Sequence, residues 1–432
     1  MLFLDINDAN FTAQFSAILT RGEETSLQVT EVVRGIIKDI RNSGDDALLE
    51  YTNRFDRLGL SSAVGLEISA AEVDAAVAQI PVDDLAALEL ACERVARFHE
   101  KQKQQTWLST EENDILLGQK VTPLQHVGIY VPGGKASYPS SVIMNAVPAK
   151  VAGVKEIIMV CPTPGGEINP AVLAAAKLSG VDRIFRIGGA QAVAALAYGT
   201  ATIPRVDKIT GPGNIYVATA KQLVFGQVGI DMIAGPSEIL VINDGSGNPA
   251  HIAADLLSQA EHDELASSIL ITTDRGFGEQ VAAEVERQLA QLTRESIARA
   301  SWDQFGAVIV AGSLEEAAVF SNRIAPEHLE LAVADPFGLL PLIEHAGAIF
   351  MGHWTPEAVG DYLAGPNHTL PTGGTARFFS PLSVDDFIKK TSIISCSQQG
   401  LQRLGSRIVQ IAGLEGLEAH ARSVSIRLGG DV

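Results

Sequence analysis

The chain has 432 residues, of which 46% are hydrophobic and 19% charged, and its formal net charge is -19 at pH 7. A chain of this length is too long to fold around one ordinary hydrophobic core, so two or more lobes are predicted. The composition is that of a folded protein and not of a disordered one. The acidic charge makes nucleic acid and membrane surfaces poor candidate partners. A small anionic cofactor is compatible with it, because helix N-termini bind phosphate even in acidic proteins.

The three cysteines, Cys92, Cys161 and Cys396, have no Cys-x-x-Cys spacing. Scattered thiols indicate neither a disulfide framework nor a thiolate metal site, and they suit a reducing compartment. The N-terminal sequence MLFLDINDANF lacks a basic region followed by an apolar one, and no run approaches the roughly 20 apolar residues that cross a bilayer. We therefore expect a cytoplasmic protein.

The first part of the chain, to about residue 110, is predicted to be helical. Segment 25–56 has apolar residues at helical spacing with a break at Gly44-Asp45, and segment 81–104 starts with proline and two acids and ends basic. From about residue 124, short β-rich runs such as HVGIYVPGG, RIFRIGGAQ and DKITGPGN end in glycine turns and alternate with helical segments. A second series runs from EILVIND through SSILITTD, GAVIVAG and HLELAV to GAIFMG.

Strand, glycine turn and helix in succession predict parallel sheets covered by helices. We expect an α/β protein with two Rossmann-like parallel-sheet lobes that meet near residue 238, and we divide the chain into four segments. Residues 1–129 form a helical region contributing to the first lobe, 130–238 the first α/β lobe, 239–381 the second, and 382–432 a short helical tail that includes SPLSVDDFIKKTSIISCS.

The stretch SQAEHDELA, residues 258–266, concentrates polar side chains at the end of an apolar helical run. On a helix, Asp255, Gln259 and His262 fall within roughly 60° of one another, beside the apolar face. The stripe is compatible with metal binding. A solvated helix face is the alternative, because a helical zinc site needs ligands from elsewhere and glutamine is an unusual zinc ligand.

Two further segments carry groups suited to proton transfer. RIAPEHLEL, residues 323–331, sets Glu327 beside His328, either as two catalytic bases or as an ordinary surface turn. Residues 352–378 form a long loop rich in glycine, proline and polar residues, and such loops are more often functional than not.

Glycine turns follow three predicted strands, at 131–141, 188–191 and 210–214. Ligands bind at the carboxyl ends of strands in open α/β sheets, so these turns predict a small-molecule cleft. None is a G-x-G-x-x-G, and the residues alone do not predict NAD. Cys161 ends the strand EIIMVC, where a thiol could trap an aldehyde, but no base lies near it in sequence and a small apolar role is favoured.

GIDMIAGPSEILVI, SQAEHDELA, APEHLEL, VGDYLAGPNHTLPTGGTARF and GLEAHARSVSIRL, in this order, resemble the histidinol dehydrogenase family over essentially the whole chain. The resemblance implies a cytoplasmic homodimer that oxidises L-histidinol through L-histidinaldehyde to L-histidine with two NAD+, the last step of histidine biosynthesis. It implies one zinc per subunit, bound by Gln259, His262, Asp361 and His420, with the tail histidine reaching the other subunit's site. Asp255 then becomes a support for the ligands.

The resemblance also assigns roles to the remaining candidates. His328 removes the alcohol proton, and Glu327 activates water to hydrate the aldehyde. The substrate contacts are Ser237, His328, His368, Glu415 and the zinc ligands, and the NAD contacts are Tyr130, Gln191 and Asn214. Two other functional classes stay open on the residues alone: a zinc hydrolase in which Glu327 activates water, and a two-lobed binding protein.

Overall fold

The computed structural model describes residues 1–19, 27–111, 115–133 and 138–430. The chain forms two compact units, one of Met1–Gln102 with Leu124–Phe387 and one of Lys103–Pro123 with Ile388–Val432. Part of the predicted glycine turn at 131–141 and the first two residues of segment 25–56 lie outside the described residues.

The first unit contains two six-stranded sheets. In the first sheet the strands lie in the order β2 (Glu67–Ile68), β7 (Arg183–Phe185), β6 (Glu156–Val160), β5 (His126–Tyr130), β8 (Lys208–Thr210) and β9 (Gly229–Ile230). Every neighbouring pair is parallel except β2 with β7.

The second sheet is parallel throughout. Its strands lie in the order β1 (Leu2–Asp5), β12 (Ala307–Val310), β11 (Ser267–Thr272), β10 (Glu238–Asn243), β13 (His328–Ala332) and β14 (Ala348–Met351). Its central strands are apolar on both faces because helices cover both sides, as parallel sheets require. The prediction of an α/β fold with two parallel-sheet lobes is confirmed.

Helices α1 to α15 belong to the first unit and pack on these sheets. Their bounds are α1 Phe11–Leu19, α2 Leu27–Ser43, α3 Asp45–Asp56, α4 Ala70–Val77, α5 Val82–His99, α6 Pro139–Ala152, α7 Pro170–Leu178, α8 Gly189–Tyr198, α9 Ile215–Val224, α10 Pro249–Ala260, α11 Arg275–Leu289, α12 Glu295–Phe305, α13 Leu314–Ile324, α14 Pro336–Leu339 and α15 Glu357–Val359. No helix within the described ranges is long and apolar enough to cross a membrane.

The second unit is a three-stranded antiparallel sheet with two helices. Strands β3 (Trp107–Glu111) and β15 (Ile388–Cys396) flank β4 (Ile115–Pro123), and helices α16 (Gln398–Leu414) and α17 (Glu418–Ser425) follow. The prediction of a helical tail from about residue 382 is wrong for residues 388–396, because IKKTSIISC is a strand that pairs with β4 along its whole length. Its isoleucines and threonine favour a strand, and only the rest of the tail is helical.

The prediction of an all-helical start is also incomplete. The N-terminal strand β1 pairs with β12 at the edge of the second sheet, from Leu2 opposite Ala307 to Asp5 opposite Val310. The pairing joins residues about 300 positions apart in sequence, and a four-residue strand with no turn signal of its own is not visible to a local pattern.

Candidate active site

The predicted Glu-His pair lies at the amino end of β13, beside the amino end of β10. The two strands are in parallel register, with Ile239 opposite His328, so Glu238 and Glu327 are neighbours just before the paired region. Helix α10 ends at the same edge because it leads back to the start of β11. Parallel topology therefore gathers the candidate chemical groups of the second lobe at the amino ends of its strands.

Helix α10 positions Gln259 at this edge. The Asn248 side chain caps the helix by accepting the Ala250 N–H at 2.9 Å, and Pro249 occupies its first turn. The Gln259 side chain is fully buried, and its Oε1 has no hydrogen-bond partner among the described residues. The helix ends at Ala260, so His262 lies in the following turn and not on the helix, and it is exposed. Its N–H donates to the Gln259 carbonyl at 3.1 Å, which keeps the two residues together.

The buried His328 ring contacts two groups through Nδ1. Its Nδ1 lies 3.1 Å from the Glu238 carbonyl oxygen, which can only accept, and 3.3 Å from Gln259 Nε2. The shorter contact, with the carbonyl, favours the tautomer in which Nδ1 carries the proton and donates to it. Its Nε2 has no hydrogen-bond partner within the described ranges and lies 3.6 Å from Glu357 Oε1 and 3.8 Å from Asp361 Oδ1. Burial lowers the pKa of His328 to about 3, so the ring is neutral and Nε2 offers a free lone pair.

Glu327 is buried beside this ring. Its Oε2 accepts the Glu238 N–H at 3.0 Å and lies 3.8 Å from His328 Nδ1. Burial is the main cause that raises the pKa of Glu327 well above its usual value, and the charges of Glu238 and Asp361 add to it. The neutral imidazole offers a nitrogen lone pair that can accept a proton, and the raised pKa of Glu327 makes its carboxyl a stronger base once it is ionised.

The carboxylates around His328 form a candidate metal centre. Ligand atoms of His328, Glu357 and Asp361 all lie within 4.8 Å of one another. Burial raises the pKa of Asp361 to about 7, and burial followed by the charges of Asp361 and Glu327 raises that of Glu357 well above its usual value. Several acidic groups out of water are costly unless a cation neutralises them, so this centre has the electrostatics of a divalent-cation site.

Glu357 is one of the polar residues of the long loop, four residues before Asp361, and no particular role is predicted for it from the sequence. Its burial and the short distances from its carboxylate to His328 and Asp361 make it part of the candidate centre. The predicted His368 lies on the same loop, and burial lowers its pKa to about 4. His262 contributes to the lowered pKa of both His328 and His368, so the three imidazoles are within electrostatic range of one another.

A second layer of carboxyl groups lies behind the centre. Asp255 and Glu330 are hydrogen-bonded to each other, and Glu330 Oε1 accepts the Glu357 N–H at 2.9 Å. Asp255 thus acts through Glu330 on the position of Glu357.

The candidate nucleotide residues lie at the carboxyl edge of the first sheet. Tyr130 ends β5, and its hydroxyl accepts the Gly189 N–H at 3.0 Å. Gln191 is in the first turn of α8, with Oε1 buried and unpartnered in the part of the chain that is described. Asn214 caps α9 by accepting the N–H groups of Tyr216 and Val217 at 3.1 and 3.2 Å. The glycine turns are thus brought to one edge, as the parallel topology predicts.

Comparison with known proteins identifies the family. The histidinol dehydrogenase family model matches residues 19–428. Histidinol dehydrogenase of Geobacter sulfurreducens is 78% identical over 428 residues, covering 99% of this chain and 100% of the relative. That of Sulfurimonas denitrificans is 52% identical, covering 99% and 100%. A crystal structure of histidinol dehydrogenase from Elizabethkingia anophelis has a TM-score of 0.93 at 40% identity, covering 99% of this chain and 98% of that one. The chain belongs to the histidinol dehydrogenase family.

Family membership confirms the resemblance seen in the motifs, and the roles of all the predicted site residues stay predictions. Ser237 lies just before β10, and its carbonyl accepts the Ser267 N–H at 3.0 Å. Glu415 ends α16 and His420 lies in α17, and both are exposed residues of the second unit.

Cys161 is not a suitable nucleophile. It is buried, and burial raises the pKa of its thiol to about 12, with the Asp56 charge adding to the shift. The reactive species is the thiolate, which is scarce at neutral pH when the pKa is raised. The structure supports the interpretation that Cys161 is a small apolar residue at the end of a strand.

Proposed function

We propose that the protein oxidises L-histidinol through L-histidinaldehyde to L-histidine, using zinc and two NAD+, as the last step of histidine biosynthesis. The main observation is the neutral, buried His328 with a free Nε2 beside Glu327 and the acidic centre, in a chain whose relatives are named histidinol dehydrogenase. The three free thiols agree with the reducing cytoplasm that the proposal assigns to it.

The residues present fit a zinc ion. We assign Gln259, His262 and Asp361 of one subunit, with the partner subunit's His420, as the ligands. The unpartnered Gln259 oxygen supports this assignment, and so does the raised pKa of Asp361, which marks a carboxylate in need of a cation. Zinc, when bound, supplies a template for the imidazole and amino nitrogens of the substrate and polarises it.

The protein's own groups move the protons. His328 Nε2 accepts the alcohol proton as hydride leaves the substrate carbon, and the bond from Nδ1 to the Glu238 carbonyl stabilises the imidazolium that forms. Glu327 then accepts a proton from the water that hydrates the aldehyde, and a second hydride transfer gives the acid. Ser237, His368 and Glu415 are assigned to substrate binding.

The nucleotide binds at the carboxyl edge of the first sheet, at Tyr130, Gln191 and Asn214. The buried, unpartnered Gln191 oxygen supports this placement, since an amide oxygen without a partner is costly until a ligand hydroxyl or amide meets it. Both NAD+ molecules are consumed because the carbon loses two hydrides.

Absorbance at 340 nm tests the reaction. The zinc-loaded protein with histidinol and excess NAD+ should form two NADH for each histidine. Absence of NADH would overturn the proposal and leave the zinc hydrolase as the alternative. Formation of one NADH for each histidinol consumed, with release of free aldehyde, would overturn the assignment of the second step.

Co-expression of two inactive variants tests the shared site. His262→Asn and His420→Asn subunits should form heterodimers in which one site carries both changes and the other carries neither. Random pairing makes half of the dimers mixed, so about a quarter of the wild-type activity should return. If activity stays absent although mixed dimers are isolated, His420 acts within its own subunit or not at all.

A further inference from the structure

An ion pair is buried beneath the nucleotide-binding edge of the first sheet. Lys221 on α9 and Asp231 after β9 contact each other, with side chains 2% and 1% exposed. Removing two charges from water costs as much as their attraction returns, so a buried pair is weak evidence for stability and calls for another role.

Both members of the pair bind the backbone of Gly211, one on each side of its Cα, in the turn at 210–214. Lys221 Nζ donates to the Gly211 carbonyl at 2.9 Å, and Asp231 Oδ2 accepts the Gly211 N–H at 2.8 Å. The backbone at Gly211 has φ +109°, which residues with a side chain rarely adopt. A Cβ there would also meet the Tyr130 carbonyl, so the turn packs directly against the backbone of Tyr130.

Gly211 lies between two of the proposed nucleotide contacts. It packs on Tyr130 on one side, and Asn214 follows three residues later as the cap of α9. Asp231 is itself fixed, since its N–H donates to the Ile209 carbonyl at 3.2 Å. A shift of this turn therefore moves Asn214 relative to Tyr130, which changes the nucleotide site while leaving the acidic centre of the second lobe in place.

We propose that Lys221 and Asp231 are positioning residues that hold the turn at 210–214 in its nucleotide-binding conformation before NAD+ arrives. The inference rests on the proposed function, because it takes NAD+ as the ligand of this turn. A group that fixes only the nucleotide site changes the KM for NAD+, whereas a group needed only for folding lowers the amount of active enzyme and leaves this KM unchanged.

The test is the zinc-loaded double variant Lys221→Met/Asp231→Leu, which removes both charges together. We expect its KM for NAD+ to rise about 10-fold or more, with kcat at saturating NAD+, zinc content and the Kd for histidinol close to the wild-type values. Lys221→Met/Asp231→Asn keeps an acceptor for the Gly211 N–H and should recover part of the loss.

Lys208→Met/Asp386→Leu is the matched control. This Lys–Asp pair, with a distance of 3.0 Å, joins the opposite end of β8 to residue 386 of the same unit. Its removal should leave the KM for NAD+ unchanged. An unchanged KM in the Lys221/Asp231 double variant would overturn the inference while leaving the proposed function standing, and absence of NADH from the wild type would overturn the function itself.

Amide hydrogen exchange of the wild type keeps the inference testable if the variants fail to fold. The Gly211 amide, bonded to Asp231, should exchange slowly both without and with NAD+, because the turn is already in place. Fast exchange in the free enzyme that becomes slow only with NAD+ would show that the pair does not preform the turn.

Discussion

Replacement of Glu330 by glutamine should stabilise the metal-free protein at neutral and alkaline pH. Glu330 lies in the middle of β13 with 3% exposure, hydrogen-bonded to Asp255. Burial raises the pKa of Asp255 to about 6 and that of Glu330 well above its usual value, with the Asp255 charge as the next cause. Two such carboxyl groups in contact share a proton that the unfolded chain would release. A glutamine can donate to Asp255 and still accept the Glu357 N–H without any proton.

The size of the stability change follows from the number of protons bound in the folded and unfolded states. The folded state binds more protons than the unfolded state between about pH 4.5 and the raised pKa values, so the free energy of unfolding falls as the pH rises. One proton is worth about 1.4 kcal/mol per pH unit, which is ~3 kcal/mol between pH 5 and pH 7. Glu330→Gln removes this proton and should be more stable than the wild type at pH 8 by about 1–3 kcal/mol, with little difference near pH 4.5.

Urea unfolding of the chelator-treated protein at several pH values measures this difference. Glu264→Gln removes the same charge from an exposed position and should leave the pH slope at its wild-type value. A Glu330→Gln variant that follows the wild-type slope, or that is less stable at pH 8, would show that the pair carries no extra proton and that Glu330 is ionised.

Three further predictions concern the centre and the thiols. His262→Asn should lose most bound zinc by elemental analysis, whereas His328→Asn should keep the zinc and the Kd for histidinol and lose turnover; zinc loss in both would make His328 a ligand. Glu327→Gln should slow oxidation of added histidinaldehyde by about 100-fold or more, the usual scale of a lost general base, and an aldehyde rate equal to the wild type would refute water activation. Iodoacetamide at pH 8 should alkylate the exposed Cys396 and leave Cys161 intact, as mass mapping of the native protein can show.

The alternation of strand and glycine turn was enough to predict the two parallel sheets. Runs such as EILVIN and SSILIT are apolar on both faces, which distinguishes strands of a parallel sheet from those of a half-exposed one. The same reasoning failed for IKKTSIISC in the tail. That strand is largely exposed on both faces, so it lacks the apolar alternation of a half-buried strand, and its pairing with β4 is what identifies it.

The candidate site could be predicted in part, for a physical reason. Glu327 and His328 are adjacent in sequence, and Gln259 and His262 are held together by one hydrogen bond at the end of α10. No local sequence pattern predicts a role for Glu357, because that role depends on its burial beside Glu330 of β13. In the sequence HLELA, Glu330 has the position of an ordinary outward-facing strand residue. In the structure it is buried and hydrogen-bonded to Asp255 of helix α10.

The loop that carries His368 connects the two lobes of the first unit. Asn367 Nδ2 donates to the Met144 carbonyl of α6 at 2.6 Å, and Asn145 on the same helix lies 3.5 Å from the Thr369 hydroxyl. The residues on either side of His368 are therefore fixed to a helix of the first lobe, while its imidazole lies near His262 and His328 of the second. Hydride transfer requires the nucleotide and the substrate carbon to meet within contact distance. In the proposed reaction the nucleotide lies at the carboxyl edge of the first lobe and the substrate at the amino edge of the second, so a segment attached to both lobes sets the distance between them. We propose that the Asn367 to Thr369 segment does this.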